Sequence, residues 1–367
     1  MTTRRNFIKQ LGAVGLAATV PSPLFAMNRE EKQTKKDALI WANLIHLSFN
    51  MWQDFTPDKY KTDTYPSHFD EKQVIDWAHH HQPHLTCEEP AWDSVIEKMA
   101  ASGLNMAVID LGDGVQYESH PEISVKNAWT HQHLKKKLQQ MRAMGIEPIP
   151  KLNFSAGHKT WLGPHRFGIS SDTYYTVCKN LIDEVVDIFD SPRFFHLGMD
   201  EETCSHQSAN RHTVVRKGDL WWHDFYYLVD QVERHNVRSW IWSDNVWRNK
   251  EEFLRKMPKS VLQSNWNYEE RGFTFTDDSQ PNDALAQAFI DLEEHGFDQI
   301  PTGSLWLNRE WINYGNIERL VRHTKQIVQP KRLKGFMQTV WIPTLAPCLP
   351  THYKAIEVME EAKKKHY

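Results

Sequence analysis

Two neighbouring carboxylates are the residues of this sequence best suited to chemistry. Asp200 and Glu201 lie in the stretch SPRFFHLGMDEET, residues 191–203, directly after an apolar run that ends in glycine. Paired carboxylates can divide general acid–base and charge-stabilising roles between them. The same residues could instead begin a helix, because the helix dipole and the free N–H groups of the first turn favour Asp and Glu. The element that follows the pair must decide between these interpretations.

The surrounding elements alternate between short apolar runs and segments with apolar residues at helical spacing. Such alternation is typical of βα units. Eight runs and eight intervening helices predict a single-domain α/β fold, the (β/α)8 or TIM barrel, with a doubly wound open sheet as the alternative. The predicted strands are ALIWANLIHLS from 38, LNMAVIDLG from 104, GIEPIPKLNF from 145, RFFHLG from 193, VRSWIWSD from 237, SVLQSNW from 260, DQIPTGSLWL from 298 and KGFMQTVWI from 334.

In a barrel the active site lies where the strands end, at the C-terminal face. The residues at those points are polar and aromatic: His46, Asn50, Asp110, Asp113, Asn153, His158, Asp200, Glu201, Trp242, Asp244, Trp266, Tyr268, Trp306, Asn308 and Trp341. Carboxylates, a histidine and tryptophans at one mouth suit the cleavage of a glycosidic bond, with the indole rings as a platform for sugar. A tryptophan at a strand end can equally be a packing residue.

Composition supports an uncharged partner. The 43 basic and 47 acidic residues nearly balance, and no polybasic face indicates nucleic acid or an anionic membrane. Fifteen tryptophans and eleven tyrosines are consistent with a carbohydrate substrate. The four cysteines, which form no CxxC pair, are expected to be mostly buried thiols rather than a disulfide framework.

The first 30 residues resemble a Tat export signal, with twin arginines, a short apolar stretch and small residues before Ala26. We therefore expect a periplasmic or secreted protein whose catalytic barrel occupies residues 31–367, with no membrane span in the mature chain. A long loop at about residues 49–90 follows the first strand and is expected to wall one side of the pocket.

Three segments resemble a known family. FHLGMDEE is similar to the fourth-strand motif of the family-20 glycoside hydrolases, the β-N-acetylhexosaminidases, and the chain resembles a remote single-domain member. SGLNMAVIDLGDGVQY and GIEPIPKLNFSAGH are similar to the second and third strands of that family, and weaker similarity continues in SWIWSD, QSNWNY and TVW.

The resemblance implies a mechanism and a set of residues. Glu201 would be the general acid and base, and Asp200 would orient the substrate's 2-acetamido group, which itself attacks the anomeric carbon. His158 and Asp113 match the histidine and aspartate that support the acid in the family. No cofactor or metal is expected. The substrate-binding residues would be Trp242, Asp244, Trp266, Tyr268, Trp306, Trp341, Asn153 and His196.

Three departures from the family pattern fall on substrate recognition. The segment WANLIHLSFNMW lacks the family's first-strand arginine, Trp306 stands where the seventh strand usually carries a tyrosine, and Ile342 replaces a glutamate after the eighth-strand tryptophan. These changes leave open a glycosidase for a modified or non-acetamido sugar.

Two other functions fit the same residue types. A metal-dependent hydrolase or isomerase could use His46, Asp110, Asp113, His158, His196, Glu201 and His206, although the sequence has no HxH or HExxH spacing. A sugar-binding protein without turnover would keep the aromatic platform alone.

Overall fold

The eight predicted strands form a parallel barrel. The computed structural model describes residues 38–268, 284–308 and 311–367, of which Ile40–Tyr367 belong to one compact unit. The barrel strands are β1 (Ile40–His46), β2 (Met106–Asp110), β3 (Glu147–Lys151), β4 (Phe194–His196), β5 (Arg238–Trp242), β6 (Leu262–Ser264), β7 (Thr302–Ser304) and β10 (Gly335–Thr339), and a separate hairpin contains β8 (Trp306–Asn308) and β9 (Trp311–Ile312). The order in the barrel is β6-β5-β4-β3-β2-β1-β10-β7, with every neighbouring pair parallel.

Backbone hydrogen bonds between the β6 and β7 regions bring the two ends of the sheet together. Ile300 N–H donates to Gln263 O at 2.9 Å, Thr302 N–H to Asn265 O at 3.0 Å, and Asn267 N–H to Thr302 O at 3.2 Å. These bonds make the sheet a nearly closed barrel, so the predicted (β/α)8 fold is confirmed and the open doubly wound sheet is wrong.

Apolar side chains fill the barrel, as expected for strands covered on both faces. The interior cluster includes Leu44, Val108, Ile149, Trp240 and Met337, all fully buried. Because this packed interior excludes a channel, any pocket must lie at the ends of the strands and in the loops that follow them.

Helices alternate with the strands and surround them. Two of the described helices begin with a hydroxyl cap: Thr130 accepts from His133 N–H, and Ser171 accepts from Tyr174 N–H. The helices are α1 (Glu71–His79), α2 (Glu89–Ala101), α3 (His131–Ala143), α4 (Asp172–Ile188), α5 (Asp219–Glu233), α6 (Asn245–Arg248), α7 (Lys250–Lys256), α8 (Ala284–Glu294), α9 (Asn316–Ile327) and α10 (Leu349–His366).

The segment after β4 is not a helix. Asp200 and Glu201 lie in an irregular loop, and the next helix, α5, begins at Asp219. The interpretation of the acidic pair as a helix start is therefore wrong. The two carboxylates therefore do not cap a helix, and another role is needed to explain them.

Two features of the loops were not predicted. The long loop contains helix α1, which begins with a capping box between Asp70 and Gln73. The run predicted as the seventh strand is divided: β7 ends at Ser304, and the antiparallel hairpin of β8 and β9 follows it.

Some predictions fall outside the described residues. The Tat-type segment at residues 1–30 is one, and the side chain of Trp306 is another. Cys87, Cys178 and Cys348 are buried free thiols and Cys204 is an exposed one, which confirms the predicted thiols. In the part of the chain that is described, no helix has the length and apolar character needed to cross a membrane.

Candidate active site

The turn after β4 holds Asp200 and Glu201 in an unusual backbone conformation. Gly198, Met199 and Glu201 all have positive φ, at 73°, 75° and 54°. A Cβ on Gly198 would lie 1.9 Å from Asn153 Oδ1, so only glycine fits between the β3 and β4 loops. Left-handed conformations in side-chain-bearing residues cost free energy and concentrate at functional sites. The turn thus brings two adjacent carboxylates to one imidazole, that of His158.

Asp200 is buried and held on both sides. Asn153 Nδ2 donates to Asp200 Oδ1 at 2.9 Å, and His158 Nε2 lies 3.4 Å from Asp200 Oδ2. Ser155 Oγ donates to the backbone carbonyl of Asp200. Burial alone would raise the pKa of Asp200, but the His158 charge and the Asn153 hydrogen bond hold this pKa below its ordinary value. Asp200 is therefore an ionised carboxylate at neutral pH.

Glu201 lies between two histidines. Its Oε2 is 3.2 Å from His158 Nε2, and its Oε1 is 3.4 Å from His206 Nε2. The Glu201 side chain is 22% exposed, compared with 8% for Asp200, so Glu201 is the more accessible of the two. Gly157 packs against the Glu201 carbonyl, where a Cβ would approach to 2.6 Å. Glu201 thus combines contact with solvent and a fixed orientation, as a proton donor requires.

His158 joins the two carboxylates. Its side chain is 4% exposed, and its pKa is raised to about 10, because the charge and hydrogen bond of Asp200, with a further contribution from Glu201, outweigh the lowering effect of burial. The imidazole is therefore a cation at neutral pH, which offsets the negative charge of Asp200.

Asp113, predicted to support the acid through His158, has other partners. Asn50 Nδ2 donates to Asp113 Oδ2 at 2.9 Å, and Ser48 Oγ donates to Asp113 Oδ1. His158 Nδ1 has no hydrogen-bond partner among the described residues. Burial raises the pKa of Asp113 to about 7 despite both hydrogen bonds. Asp113 thus ties the first-strand loop to the second, and no hydrogen bond joins it to His158.

Asp244, which follows β5, supports the backbone of the turn after β4. Its Oδ2 accepts from Glu201 N–H at 3.1 Å, whereas its buried Oδ1 has no partner among the described residues. Burial, together with the nearby charge of Asp200, raises the pKa of Asp244 to about 8. A cavity of about 460 Å³ adjoins the turn on this side and is lined in part by Met199, Thr203 and Arg248.

A buried ion pair lies below the site. Lys151 at the end of β3 donates to Asp110 at the end of β2, and both side chains are almost completely buried. His46 Nδ1 is 3.7 Å from Asp110 Oδ2. Lys151 also contributes to lowering the pKa of Asp200. Lys151 thus acts on Asp200 through space, while its hydrogen bond goes to Asp110.

Aromatic rings form a wall next to His158. Trp52 from the long loop packs edge-on against His158, with ring centroids 5.1 Å apart, and against Trp341 at 6.0 Å. Trp341 donates from Nε1 to Tyr268 Oη at 3.1 Å, and Tyr268 stacks on Trp266 at 4.9 Å. Trp52 thus brings the long loop next to His158.

Two of the predicted substrate-binding residues lie beneath this wall. His196 is fully buried, and its Nδ1 accepts from Gly198 N–H at 3.0 Å. Trp242 is 1% exposed and packs 4.5 Å from His196 and 5.8 Å from Trp341. In this structure both residues support the turn and the aromatic wall from below.

Three residues near the acidic pair were not predicted from the sequence as active-site residues. Trp52 comes from the long loop, His206 lies in the loop after the acidic pair and was considered only as a possible metal ligand, and Lys151 is inside a strand. The aromatic character of FNMWQDF, close after the first strand, was the one available signal for Trp52. A lysine within an apolar strand, in a barrel whose interior is packed, was the signal for Lys151.

Comparison with known proteins relates the fold to one family. No protein-family model matches the sequence. No curated protein matches it either. Among solved structures, a β-N-acetylhexosaminidase from Bacteroides fragilis NCTC 9343 aligns with 86% of this chain and 65% of its own length, with a TM-score of 0.54 and 13% identity.

Two further structures extend the comparison. A family-20 exo-β-N-acetylglucosaminidase from Vibrio harveyi, in complex with N-acetylglucosamine, covers 87% of this chain and 54% of its own, with a TM-score of 0.55 and 11% identity. Dispersin B covers 78% of this chain and 96% of its own, with a TM-score of 0.50 and 17% identity. The chain therefore spans 54–65% of the length of the first two structures. The predicted resemblance to the family-20 hydrolases is confirmed at the level of the barrel fold.

Proposed function

We propose that the protein is a hexosaminidase-like glycoside hydrolase that acts on chain ends by a substrate-assisted, retaining mechanism. The observation that carries this proposal is the cluster of Asp200, Glu201 and His158, in which one imidazole contacts two carboxylates of different exposure. The barrel shared with β-N-acetylhexosaminidases supports it.

The first step would form an internal intermediate from the substrate. Glu201 donates its proton to the glycosidic oxygen while the acetamido oxygen attacks the anomeric carbon, so the bond to the leaving group breaks as the new C–O bond forms. Asp200, ionised and held by Asn153, would accept a hydrogen bond from the acetamido N–H and offset the positive charge that develops on the ring. Glu201 is left as a carboxylate.

The second step would reverse the roles. The Glu201 carboxylate takes a proton from water, the resulting oxygen nucleophile attacks the anomeric carbon, and the acetamido group is restored. His158 contacts both acidic side chains, so we propose that it keeps them oriented in both steps. It would offset the charge of Asp200 throughout, and that of Glu201 after the proton has been donated.

Tyr268 offers a donor for the acetamido oxygen. Because an indole N–H can only donate, the hydrogen bond from Trp341 makes Tyr268 Oη an acceptor and leaves the phenol proton available. We propose that this hydroxyl, from the loop after β6, takes the part that the family gives to a seventh-strand tyrosine. Trp52, Trp266 and Trp341 would form the sugar platform.

The decisive experiment is a chromogenic panel of β-N-acetylglucosaminide, β-N-acetylgalactosaminide, their sulfated forms and non-acetylated glycosides. Glu201→Gln should lower kcat by roughly 10²–10⁴-fold, because it removes the proton donor. A thiazoline mimic of the cyclised intermediate should inhibit the wild type. Cleavage of a non-acetylated glycoside without thiazoline inhibition would support a different sugar, and hydrolysis unchanged by Glu201→Gln would contradict the mechanism.

A metal-dependent reaction is the second candidate, because ligand atoms of His158, Asp200 and Glu201 lie within 4.8 Å of one another. Loss of all activity after chelation, with recovery on adding zinc or manganese, would favour it.

Export is also part of the proposal and rests on the twin-arginine segment. Replacement of Arg4 and Arg5 by lysine should keep the protein in the cytoplasm.

A further inference from the structure

A second group of ligating side chains lies outside the proposed active site. His120 and Glu122 lie at a short 3-10 turn, Pro121–Ile123, in the loop after β2, and His165 belongs to a 3-10 segment, Thr160–Phe167, in the loop after β3. Glu122 Oε1 is 3.0 Å from His120 Nδ1 and 2.6 Å from His165 Nε2. The three ligand atoms all lie within 4.8 Å of one another.

The two imidazoles have the separation that a shared tetrahedral metal ion requires. Their ring centroids are 5.3 Å apart and their planes are inclined by 78°. With metal–nitrogen bonds of about 2.0–2.1 Å, two imidazoles on one tetrahedral ion have centroids about 5 Å apart. Ligand atoms on such an ion lie about 3.4 Å apart. The Glu122 oxygen, now 3.0 Å from His120 Nδ1 and 2.6 Å from His165 Nε2, therefore needs to withdraw by about 0.4 Å from the first ring and about 0.8 Å from the second.

Neighbouring residues hold the two histidine rings in place. The His120 and His165 side chains are 13% and 18% exposed, so packing already restricts both rings. Asn180 Nδ2 lies 3.3 Å from His120 Nε2, so the His120 ring also has a polar neighbour on the side away from Glu122.

Ordinary histidine–carboxylate pairs differ from this group. His131 lies 2.7 Å from Glu184, and His235 lies 2.7 Å from Asp183, but neither pair includes a second histidine. In the described ranges, three potential ligands converge only here and at the cluster of His158, Asp200 and Glu201.

We propose that His120, Glu122 and His165 form a structural site for a divalent zinc-type ion that links the loop after β2 to the loop after β3. A set of two imidazoles and one carboxylate, with water in the fourth position, suits Zn²⁺ better than Ca²⁺ or Mg²⁺.

The proposed metal site lies between two loops, one of which carries His158. The loop after β3 also carries His158, and it approaches the loop after β2 closely at Gly163, where a Cβ would lie 3.3 Å from the Glu122 carbonyl. An ion at this point would fix the distance between the two loops and so steady the loop on which His158 lies. It would take no part in bond cleavage.

The test uses untagged chain, stripped with chelator and titrated with zinc chloride by calorimetry, with retained zinc measured after dialysis. We expect one zinc ion per chain and a higher Tm with zinc. Replacement of a ligand, as His165→Ala or Glu122→Gln, should weaken binding by roughly 100-fold or more. His131→Ala is the matched control and should bind zinc like the wild type, because its pair lacks a second histidine.

Cobalt provides a readout that needs no variant. Wild-type protein titrated with Co²⁺ should show the intense visible absorption of tetrahedral coordination. Absence of retained zinc, or zinc loss caused by His158→Ala but not by His165→Ala, would overturn the proposal. Both readouts are independent of turnover, so a chain without glycosidase activity would still report on this site.

Discussion

His158 is the residue on which both carboxylates depend. One nitrogen, Nε2, faces Asp200 at 3.4 Å and Glu201 at 3.2 Å, and no other described side chain contacts the two together. The sequence resemblance paired this histidine, from the segment SAGH, with Asp113, whereas in the structure Asp113 bonds to Ser48 and Asn50. The sequence shows that His158 follows the third strand. It does not show which side chain its ring nitrogens face, because that depends on how the separate loops fold against one another.

Tyr268 provides the first test at this scale. Tyr268→Phe removes the hydroxyl and keeps the ring that stacks on Trp266. We expect kcat/KM for an acetamido substrate to fall by roughly 10–10³-fold, because one oriented donor to the reacting group is lost. The measurement is steady-state kinetics on acetylated and non-acetylated glycosides. Tyr226→Phe, a change of an exposed tyrosine on α5, is the control, and an equal loss for both classes of substrate would contradict a specific role toward the acetamido group.

At the scale of elements, the eight strands could be predicted because each is a short apolar run between helical segments. The loops could not, since their conformation depends on contacts between segments distant in the chain. Trp52 reaches His158 across 106 positions, and Asp244 reaches the Glu201 backbone across 43. Apolar periodicity reports burial but carries no information on which loops meet.

The turn after β4 illustrates the same point and is testable. Gly198→Ala introduces a Cβ 1.9 Å from Asn153 Oδ1 at a φ of 73°. We expect a loss of roughly 2–5 kcal/mol in the free energy of unfolding, the combined effect of left-handed backbone and overpacking. We also expect kcat to fall, because Asn153 must move away from Asp200. Denaturant unfolding and steady-state kinetics provide the two measurements.

Gly145→Ala separates the two causes. Gly145 has a φ of 83°, and no atom lies within 4 Å of the position that a Cβ would take, so only the backbone cost applies. That cost should be about 1–2 kcal/mol, with kcat unchanged. Equal losses of stability and activity in both variants would refute the steric argument for Gly198.

At the scale of the whole molecule, buried histidines couple stability to pH in opposite directions. His158 keeps its proton in the folded chain up to about pH 10, mainly through Asp200, whereas burial lowers the pKa of His352 to about 4. Unfolded histidine titrates near pH 6.5. Between pH 6.5 and 10, His158 is therefore protonated in the folded chain but not in the unfolded chain. Between pH 4 and 6.5, His352 is protonated in the unfolded chain but not in the folded chain.

The sign of each effect follows from linkage. Stability from His158 is fully present below about pH 6.5 and is lost as pH rises toward 10, a change on the order of a few kcal/mol. His158→Gln should remove this decline, so that the unfolding free energies of variant and wild type converge toward pH 10. His352→Gln should leave the alkaline limb unchanged and instead reduce the loss of stability between pH 6.5 and 4. Urea unfolding across pH 4–10 measures both limbs, and an alkaline decline of undiminished slope in His158→Gln would show that His158 is not protonated in the folded chain.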